Sequence, residues 1–448
     1  MSGAAVLLSI VTSAIAFGQI VGDQVDPAPG DSVAVLAKAR AAVGRAPSEF
    51  APALALARAL TALGRADDAL AAFAHARELA PAGAGGDAVA SASLAPALLL
   101  RDLDRTGDAI RLLEEAVDRR LGSADVYEQL ALLRLAEGQA DEALAAVSAA
   151  EAENLASPGL DLARGLALAR HANRRGEALG YLQRALDAGA GDPVVVHLEA
   201  ADVLAAEGRF PEALGHLRAA AESAPEEPEV VYRLGRTLAA AGDREAARAA
   251  LERHRSLEEA RERAAEAEHL ASTETASALS DARRLAGEGD LEAALERLAG
   301  LPERRDASRA ADVYSLRAKV LYSMGRVDEA AASIAEARRL EPNRVEHHYL
   351  EGMFLHTAGH AEDAAAALER ALALDPGLGE AHALLGMIAA EAGRSAEAAE
   401  RMERALRLGL DNNAPLRFNY ARVLENLGRS EEAKAQMEAF ERLRPLPP

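Results

Sequence analysis

Four histidines in one stretch of the chain, His347, His348, His356 and His360, come nearest in type and spacing to a metal site. His356 and His360 are four residues apart, a separation that places two side chains on one face of a helix. Gly359 lies between them and is expected to close a turn, so His360 is predicted to lie beyond that helix and to point elsewhere. We therefore expect scattered polar histidines here and no metal site.

Pairs of carboxylates are the other candidates for chemistry, at Glu226-Glu227, Glu258-Glu259 and Glu431-Glu432. They fall at expected turns or on helix surfaces, where solvent and helix N-termini stabilise their charge. General acid–base catalysis needs a desolvated pocket, which nothing in these pairs indicates. The sequence also lacks phosphate-loop, nucleophile-elbow and HExxH patterns. It thus predicts no enzyme, no catalytic residue and no cofactor.

The composition of the 448 residues narrows the class of protein. Half of the chain is apolar, yet only 3% is aromatic, so the apolar residues are mostly Ala and Leu, which favours closely packed helices. Because the chain has no Cys, disulfides, thiolate zinc sites and iron–sulfur clusters are excluded. The formal charge of −21 argues against binding to nucleic acid or to anionic lipid. The dominance of Arg and Ala, with Lys only at three positions, indicates a GC-rich, bacterial source.

A repeated pattern of glycine and alanine organises most of the chain. A Gly is followed five residues later by an Ala, and in the C-terminal part the pair recurs with Gly spacings of 34, 34 and 35 residues, at Gly325/Ala330, Gly359/Ala364, Gly393/Ala398 and Gly428/Ala433. This spacing predicts antiparallel helix pairs in which Gly makes the turn and small residues let the two helices approach closely. A single pair would leave an apolar face exposed to water, so the pairs must stack.

One unit of this pattern resembles the tetratricopeptide repeat. The matching features are that family's Leu-Gly pair, turn Gly, two Ala of the second helix and closing Pro, found here at Leu385-Gly386, Gly393, Ala398, Ala405 and Pro376. The resemblance spans roughly residues 31–445, about eleven units and one half-unit helix at 31–46. It implies an all-α fold, an α-solenoid whose antiparallel helix pairs stack into a right-handed superhelix, and a binding scaffold. The family's usual bulky aromatic residue early in the first helix is missing; only Tyr127 and Tyr314 come near it.

An irregular spacing suggests how the array is divided. Gly242 and Gly289 are 47 residues apart, and neither Gly nor Pro occurs between Arg244 and Ala286. We expect one unusually long helix that ends near 272–275, where Ser and Thr offer caps for the next helix. Two arrays, 31–258 and 275–448, would then be joined by a connecting helix at 259–274. A single continuous superhelix with one enlarged unit is the alternative.

The resemblance also implies a binding surface, because in this family the first helix of each pair lines a concave groove. Aromatic, Met and cationic side chains could bind a partner segment there. The candidates in the C-terminal array are Lys319, Tyr322, Tyr349, Met353, His356, Met387, Phe418 and Arg422. The alternative is that these residues pack between units.

The predicted function is a non-enzymatic scaffold for a protein or peptide partner. The alternatives are an accessory or regulatory subunit of a partner enzyme and an intracellular regulator. The Lys and Asn clamp with which some members grip chaperone tails is not reproduced, so such tails are not expected as ligands.

The first residues bear on location. Residues 4–16 are apolar or small and end in Ala14-Ile15-Ala16, which suits a signal peptide better than a membrane span, although no Lys or Arg precedes them. We expect 1–21 to be a signal peptide or an N-terminal anchor and 22–30 to be a tether, with a periplasmic or secreted protein as the result. An uncleaved membrane anchor and an ordinary first helix of a cytoplasmic protein are the alternatives. Contact with a membrane is expected only through this segment.

Overall fold

The computed structural model describes residues 29–80, 87–119, 122–171, 173–299, 301 and 307–443. These ranges contain 22 helices and no strand, which confirms the all-α prediction. The first twelve helices are α1 (Pro29–Arg45), α2 (Phe50–Ala62), α3 (Ala66–Glu78), α4 (Asp87–Asp102), α5 (Thr106–Asp118), α6 (Ala124–Ala136), α7 (Ala140–Ala152), α8 (Pro158–Ala169), α9 (Arg175–Asp187), α10 (Pro193–Ala206), α11 (Phe210–Ser223) and α12 (Pro228–Ala240). The remaining ten are α13 (Arg244–Glu288), α14 (Leu291–Leu298), α15 (Ala307–Ser323), α16 (Val327–Leu340), α17 (Val345–Thr357), α18 (Ala361–Leu374), α19 (Gly379–Glu391), α20 (Ser395–Ala405), α21 (Ala414–Asn426) and α22 (Ser430–Leu443).

The predicted signal peptide or anchor at 1–21 lies outside the described residues. So does most of the predicted tether at 22–30, whose last two residues, Pro29 and Gly30, begin α1. None of the described helices combines the length and the apolar character that crossing a membrane requires.

Consecutive helices pack as pairs, an A helix followed by its B helix. Extensive contacts join α6 to α7, α8 to α9, α10 to α11, α15 to α16, α17 to α18, α19 to α20 and α21 to α22. Several A helices also touch the A helix of the next pair: α6 contacts α8, α8 contacts α10 and α10 contacts α12, and likewise α17 contacts α19 and α19 contacts α21. The A helices of neighbouring pairs therefore lie side by side, which confirms the stacked repeat predicted from the spacing. We call the surface they form the A-helix face.

The turn between A and B helices depends on backbone geometry that favours glycine. Gly359 and Gly393 have φ values of +86° and +75°, in the left-handed region that side-chain-bearing residues seldom adopt. Asp104 stands in the equivalent turn before α5 with φ of +59°, and Asp is one of the few residues that tolerate this conformation. The turn is thus kept even where the Gly pattern is interrupted.

The seam between the paired helices is built from small residues, as predicted. Ala330, Ala364 and Ala398 are all fully buried. A Cβ added to Gly386 of α19 would lie 2.7 Å from Cγ of Met402 in α20, so that position accepts no side chain without a shift of the neighbouring helix. Close approach of the two backbones is therefore what the Ala and Gly positions provide.

The long helix exists, but the predicted end of it is wrong. Helix α13 has 45 residues and continues to Glu288, well past 272–275. The hydroxyls of Thr273 and Thr275 donate to the carbonyl O atoms of His269 and Ala271, both at 2.9 Å, instead of capping a new helix. Such bonds to the preceding turn satisfy the hydroxyl inside a helix. The cap of α14 is supplied by Asp290, which accepts from the backbone N–H of Ala293.

The chain divides into two compact units, and the division falls inside α13. Of the described residues, the first unit comprises those within Arg45–Thr61 and Arg65–Glu268. The second unit comprises Asp26–Gly44, Ala62–Gly64 and His269–Pro448. Within the second unit, Arg40 of α1 donates to the carbonyl O of Ala373 in α18 at 2.5 Å.

Candidate functional site

The residues predicted to line a groove lie on the A helices of the second unit. Lys319, Met353, Met387 and Arg422 each stand six residues before a turn Gly, so they occupy one register position on α15, α17, α19 and α21. We call this the minus-six position. Lys319 and Arg422 are exposed there, whereas Met353 and Met387 are half-buried and pack against hydrophobic clusters of the unit.

Two of the charged candidates bridge neighbouring A helices. Nζ of Lys319 lies 2.6 Å from Oε1 of Glu346 at the start of α17, and this bond lowers the pKa of the Glu346 carboxyl. Nε2 of His356 lies 3.0 Å from Oε2 of Glu391 at the end of α19. These side chains therefore already have partners within the unit that a ligand would have to displace.

The aromatic candidates differ in exposure. The ring of Tyr322 stacks on Phe354 with centroids 4.7 Å apart. Tyr349 is half-buried between two hydrophobic clusters, and its burial raises the pKa of its phenol. Phe418 is 37% exposed and leans on Phe440, with centroids 5.3 Å apart. Phe418 is thus the most exposed of the predicted aromatic residues, and it lies one turn before the exposed Arg422 on α21.

The expectation of scattered polar histidines is wrong for two of the four. His347 and His348 are 0% and 2% exposed, because α17 turns this side toward the interior of the unit. Nε2 of His348 lies 2.7 Å from the carbonyl O of Pro342, and desolvation lowers the pKa of this imidazole to about 4. His360, in contrast, is the N-cap residue of α18, which confirms that it lies beyond the A helix. Across the residues that the structure describes, no three His, Asp or Glu side chains are grouped to hold a metal ion.

A cavity that the sequence analysis did not identify lies on the A-helix face of the first unit. It has a volume of about 740 Å³ and opens between the end of α8 and the A helices α10 and α12, and its lining includes the first residues of the B helices α9 and α11, Arg175 and Phe210. Asp202 and Arg236, which line it, stand six residues before Gly208 and Gly242. They therefore occupy the minus-six position, the same register as the predicted residues of the second unit. That register was the signal that could have located this cavity from the sequence.

Four arginines line the cavity, together with two carboxylates, and we call it the arginine cavity. Its charged residues are Arg170, Arg175, Arg233, Arg236, Glu199 and Asp202. Nη1 of Arg233 lies 2.8 Å from Oδ2 of Asp202. Nη1 of Arg170 lies 3.6 Å from Oε2 of Glu199. Positive charge therefore exceeds negative charge in the cavity, in a chain whose formal charge is −21.

The charged residues of the arginine cavity are partly buried. Burial raises the pKa values of the Glu199 and Asp202 carboxyls, an effect that the neighbouring arginines oppose. Arg175 is tied to the backbone by a 3.1 Å bond from Nε to the carbonyl O of Ala169. Arg236 is exposed and lies 5.7 Å from the ring centroid of Tyr232, on the preceding turn of α12. Arg236 is thus the guanidinium most open to a ligand.

The fold and the A-helix face are those of a repeat protein built from stacked helix pairs, in which the A helices form the surface available for binding. Tetratricopeptide repeat models match residues 204–270, 315–379 and 383–446. The chain therefore contains tetratricopeptide repeats over these residues, and such repeats form protein-interaction scaffolds that are typically not enzymes.

Solved structures of repeat proteins were also compared with the chain. MamA from Desulfovibrio magneticus is 18% identical over 38% of this chain and 94% of that chain, with a TM-score of 0.35. PilF from Pseudomonas aeruginosa is 20% identical over 40% of this chain and 79% of that chain, with a TM-score of 0.36. The comparison with curated proteins found no match.

Proposed function

We propose that this protein is an interaction scaffold that binds an acidic segment of a partner protein in the arginine cavity. The observation that carries the proposal is the gathering of four guanidinium groups in one cavity of an otherwise acidic chain. A local excess of positive charge attracts carboxylates, while the acidic remainder of the surface repels them elsewhere.

The size and the donors of the cavity suit a short peptide segment. Its volume of about 740 Å³ is within the usual range for ligand sites, roughly 300–1,000 Å³. A guanidinium presents paired N–H donors that match a carboxylate, and such charge-assisted bonds are stronger than neutral ones. Arg236, which is exposed at the minus-six position, is the group we expect to bind a ligand carboxylate first.

The two resident carboxylates would tune this binding. Asp202 already holds Arg233, and Glu199 lies near Arg170, so these pairs fix the orientation of the guanidinium groups before a ligand arrives. Groups held in place lose less freedom on binding than mobile ones. The same two carboxylates repel ligand carboxylates that approach the bottom of the cavity. The acidic segment is therefore expected to lie across the A helices.

The direct test is peptide binding by fluorescence polarisation. The probe is a labelled dodecapeptide of Glu-Glu-Leu repeats, and its counterpart is the corresponding Lys-Lys-Leu peptide. We expect Arg236→Ala to weaken binding of the acidic probe by about tenfold to a hundredfold, since loss of a charge-assisted bond is worth roughly 1.5–3 kcal/mol. Binding should also weaken as the salt concentration rises.

The matched control is Arg218→Ala, which removes an exposed arginine of α11 that does not line the cavity. It should leave the affinity unchanged, and both variants should keep the helicity of the wild type. Equal loss of affinity in the two variants, or equal binding of the Lys-Lys-Leu peptide, would show that the attraction is general and not located in the cavity.

We further propose that the scaffold acts in the bacterial cell envelope. The support is the apolar run at 4–16 and its small-residue end at Ala14-Ile15-Ala16, the type of sequence that signal peptidase accepts. Sequencing the N-terminus of the protein isolated from its own cells, after fractionation, tests this location. A mature chain that begins shortly after Ala16 supports export, and a chain that begins at Met1 in the cytosolic fraction contradicts it.

A further inference from the structure

Two histidines face each other across one helix pair of the first unit. His197 lies on α10 and His216 on α11, and their Nδ1 atoms are 2.9 Å apart. The ring centroids are separated by 5.1 Å, with the rings tilted by 50°. Both side chains are half-buried. Two imidazole nitrogens from separate helices therefore lie within hydrogen-bonding distance of each other.

The separation of the nitrogens has a chemical consequence. Two N–H groups cannot point at each other at this distance, so one Nδ1 must carry a lone pair and accept the hydrogen bond of the other. Moving that shared proton to Nε2 of its own ring exposes a second lone pair without changing the charge of the pair. Two neutral imidazoles would then present lone pairs to the same place, which is the arrangement that zinc, copper and nickel ions bind.

The geometry is close to that of a bound ion. With zinc–nitrogen bonds of about 2.0 Å and tetrahedral angles, two ligand nitrogens are roughly 3.3 Å apart. The His197 and His216 nitrogens would need to separate by about 0.4 Å, a movement that small side-chain rotations provide.

The remaining ligands would be water. Glu212 stands one turn before His216 on α11, but Arg209 holds its carboxylate, with Nη2 of Arg209 2.7 Å from Oε2 of Glu212. We propose that His197 and His216 bind one zinc-type divalent ion, which clasps α10 to α11. This proposal is independent of ligand binding in the arginine cavity.

The test is isothermal titration of the full chain, free of any histidine tag, with Zn²⁺. We expect one saturable site per chain that binds at least about tenfold more weakly in His216→Gln and is absent in the His197→Gln/His216→Gln double variant. The control, His269→Gln, removes an exposed lone histidine of α13 and should leave the affinity unchanged. Circular dichroism must show that each variant keeps its helicity.

A second measurement does not depend on the variants folding. X-ray absorption of the wild-type chain loaded with one equivalent of Cu²⁺ should show two imidazole ligands. One imidazole or none, or a Zn²⁺ affinity equal in the wild type and the double variant, would overturn the proposal and leave only a hydrogen-bonded pair.

Discussion

The two units use the same register of the repeat for different purposes. At the minus-six position the first unit carries Asp202 and Arg236, which line the arginine cavity, whereas the second unit carries Met353 and Met387, which pack against its hydrophobic clusters. One residue later, Thr237 lines the cavity in the first unit and Phe354 is fully buried in the second. The repeat therefore fixes where a side chain stands, and the residue at that place decides whether it packs or binds.

The largest expected effect comes from the packed register of the second unit. Phe354→Ala should destabilise that unit by about 3–5 kcal/mol, because it empties a fully buried site among Leu321, Ile334 and Leu350. The equivalent change in the first unit, Thr237→Ala, should cost much less, since that side chain borders a cavity. Hydrogen exchange of α15–α18 and of α10–α12 measures the two effects separately. Similar losses at both positions would remove the distinction between the units.

Burial of histidines makes both units sensitive to acid, because desolvation lowers the pKa values of His197 and His216 in the first unit and of His348 in the second. His348 is buried, and its pKa in the folded chain, about 4, is below the ordinary value of 6.5. The unfolded chain therefore binds more protons between these values, so stability is full above about pH 6.5 and is lost as the pH falls toward 4. A shift of this size corresponds to about 3 kcal/mol.

The same hydrogen-exchange experiment at pH 7 and pH 4.5 measures this loss in α17 and α18. His348→Gln, which can keep a donor near the carbonyl O of Pro342, should make the protection of these helices less dependent on pH. Unchanged pH dependence in that variant would assign the effect to other groups. His347, whose pKa desolvation also lowers, is the first of these.

Overpacking the helix seam should have an intermediate effect. Ala398 is fully buried, and its carbonyl O lies 3.3 Å from where a Cβ on Gly386 would stand. Ala398→Leu should destabilise the second unit by about 1–3 kcal/mol, felt mainly by α19–α22 because each pair contacts only its neighbours. Thermal unfolding with exchange mapping checks this, and a neutral result would contradict the register assigned to the repeat.

The smallest effect is expected at the bridge between Lys319 and Glu346. Both side chains are nearly half exposed, 47% and 43%, so solvent screens their attraction. A double-mutant cycle with Lys319→Ala and Glu346→Ala should give a coupling energy below about 1 kcal/mol. A larger value would mean that this pair holds the A helices together and is not available to a partner.

The periodicity of the sequence made the repeat predictable, and the features that could not be predicted have physical causes. The turn glycines and the buried Ala positions follow from spacing, because each recurs with one backbone geometry. The end of α13 does not follow from spacing. The hydroxyls of Thr273 and Thr275 could either cap a new helix or donate to carbonyl O atoms of the preceding turn, and the local sequence permits both. The burial of His347 and His348 could not be predicted either, because it depends on which side of α17 faces the interior of the unit and not on the polarity of the histidines.

The binding residues predicted from the sequence all lie in the second unit, whereas the arginine cavity lies in the first. The prediction was based on the aromatic and Met side chains of α15–α21, and most of these side chains pack within the second unit. The arginine cavity depends on charged side chains of α9, α10 and α12 and on Arg170, which follows α8, and their proximity is a property of several helices together. Arg233, which binds both Glu229 at 2.6 Å and Asp202 at 2.8 Å, illustrates such an assembly.

One measurement tests the central claim most directly, because the chain offers a matched pair of residues. Arg236 and Arg422 are both exposed arginines at the minus-six position, one in each unit. Binding of the Glu-Glu-Leu probe should weaken at least about tenfold in Arg236→Glu, with little change in Arg422→Glu. If Arg422→Glu abolishes binding and Arg236→Glu does not, acidic segments bind the second unit and the assignment to the arginine cavity is wrong.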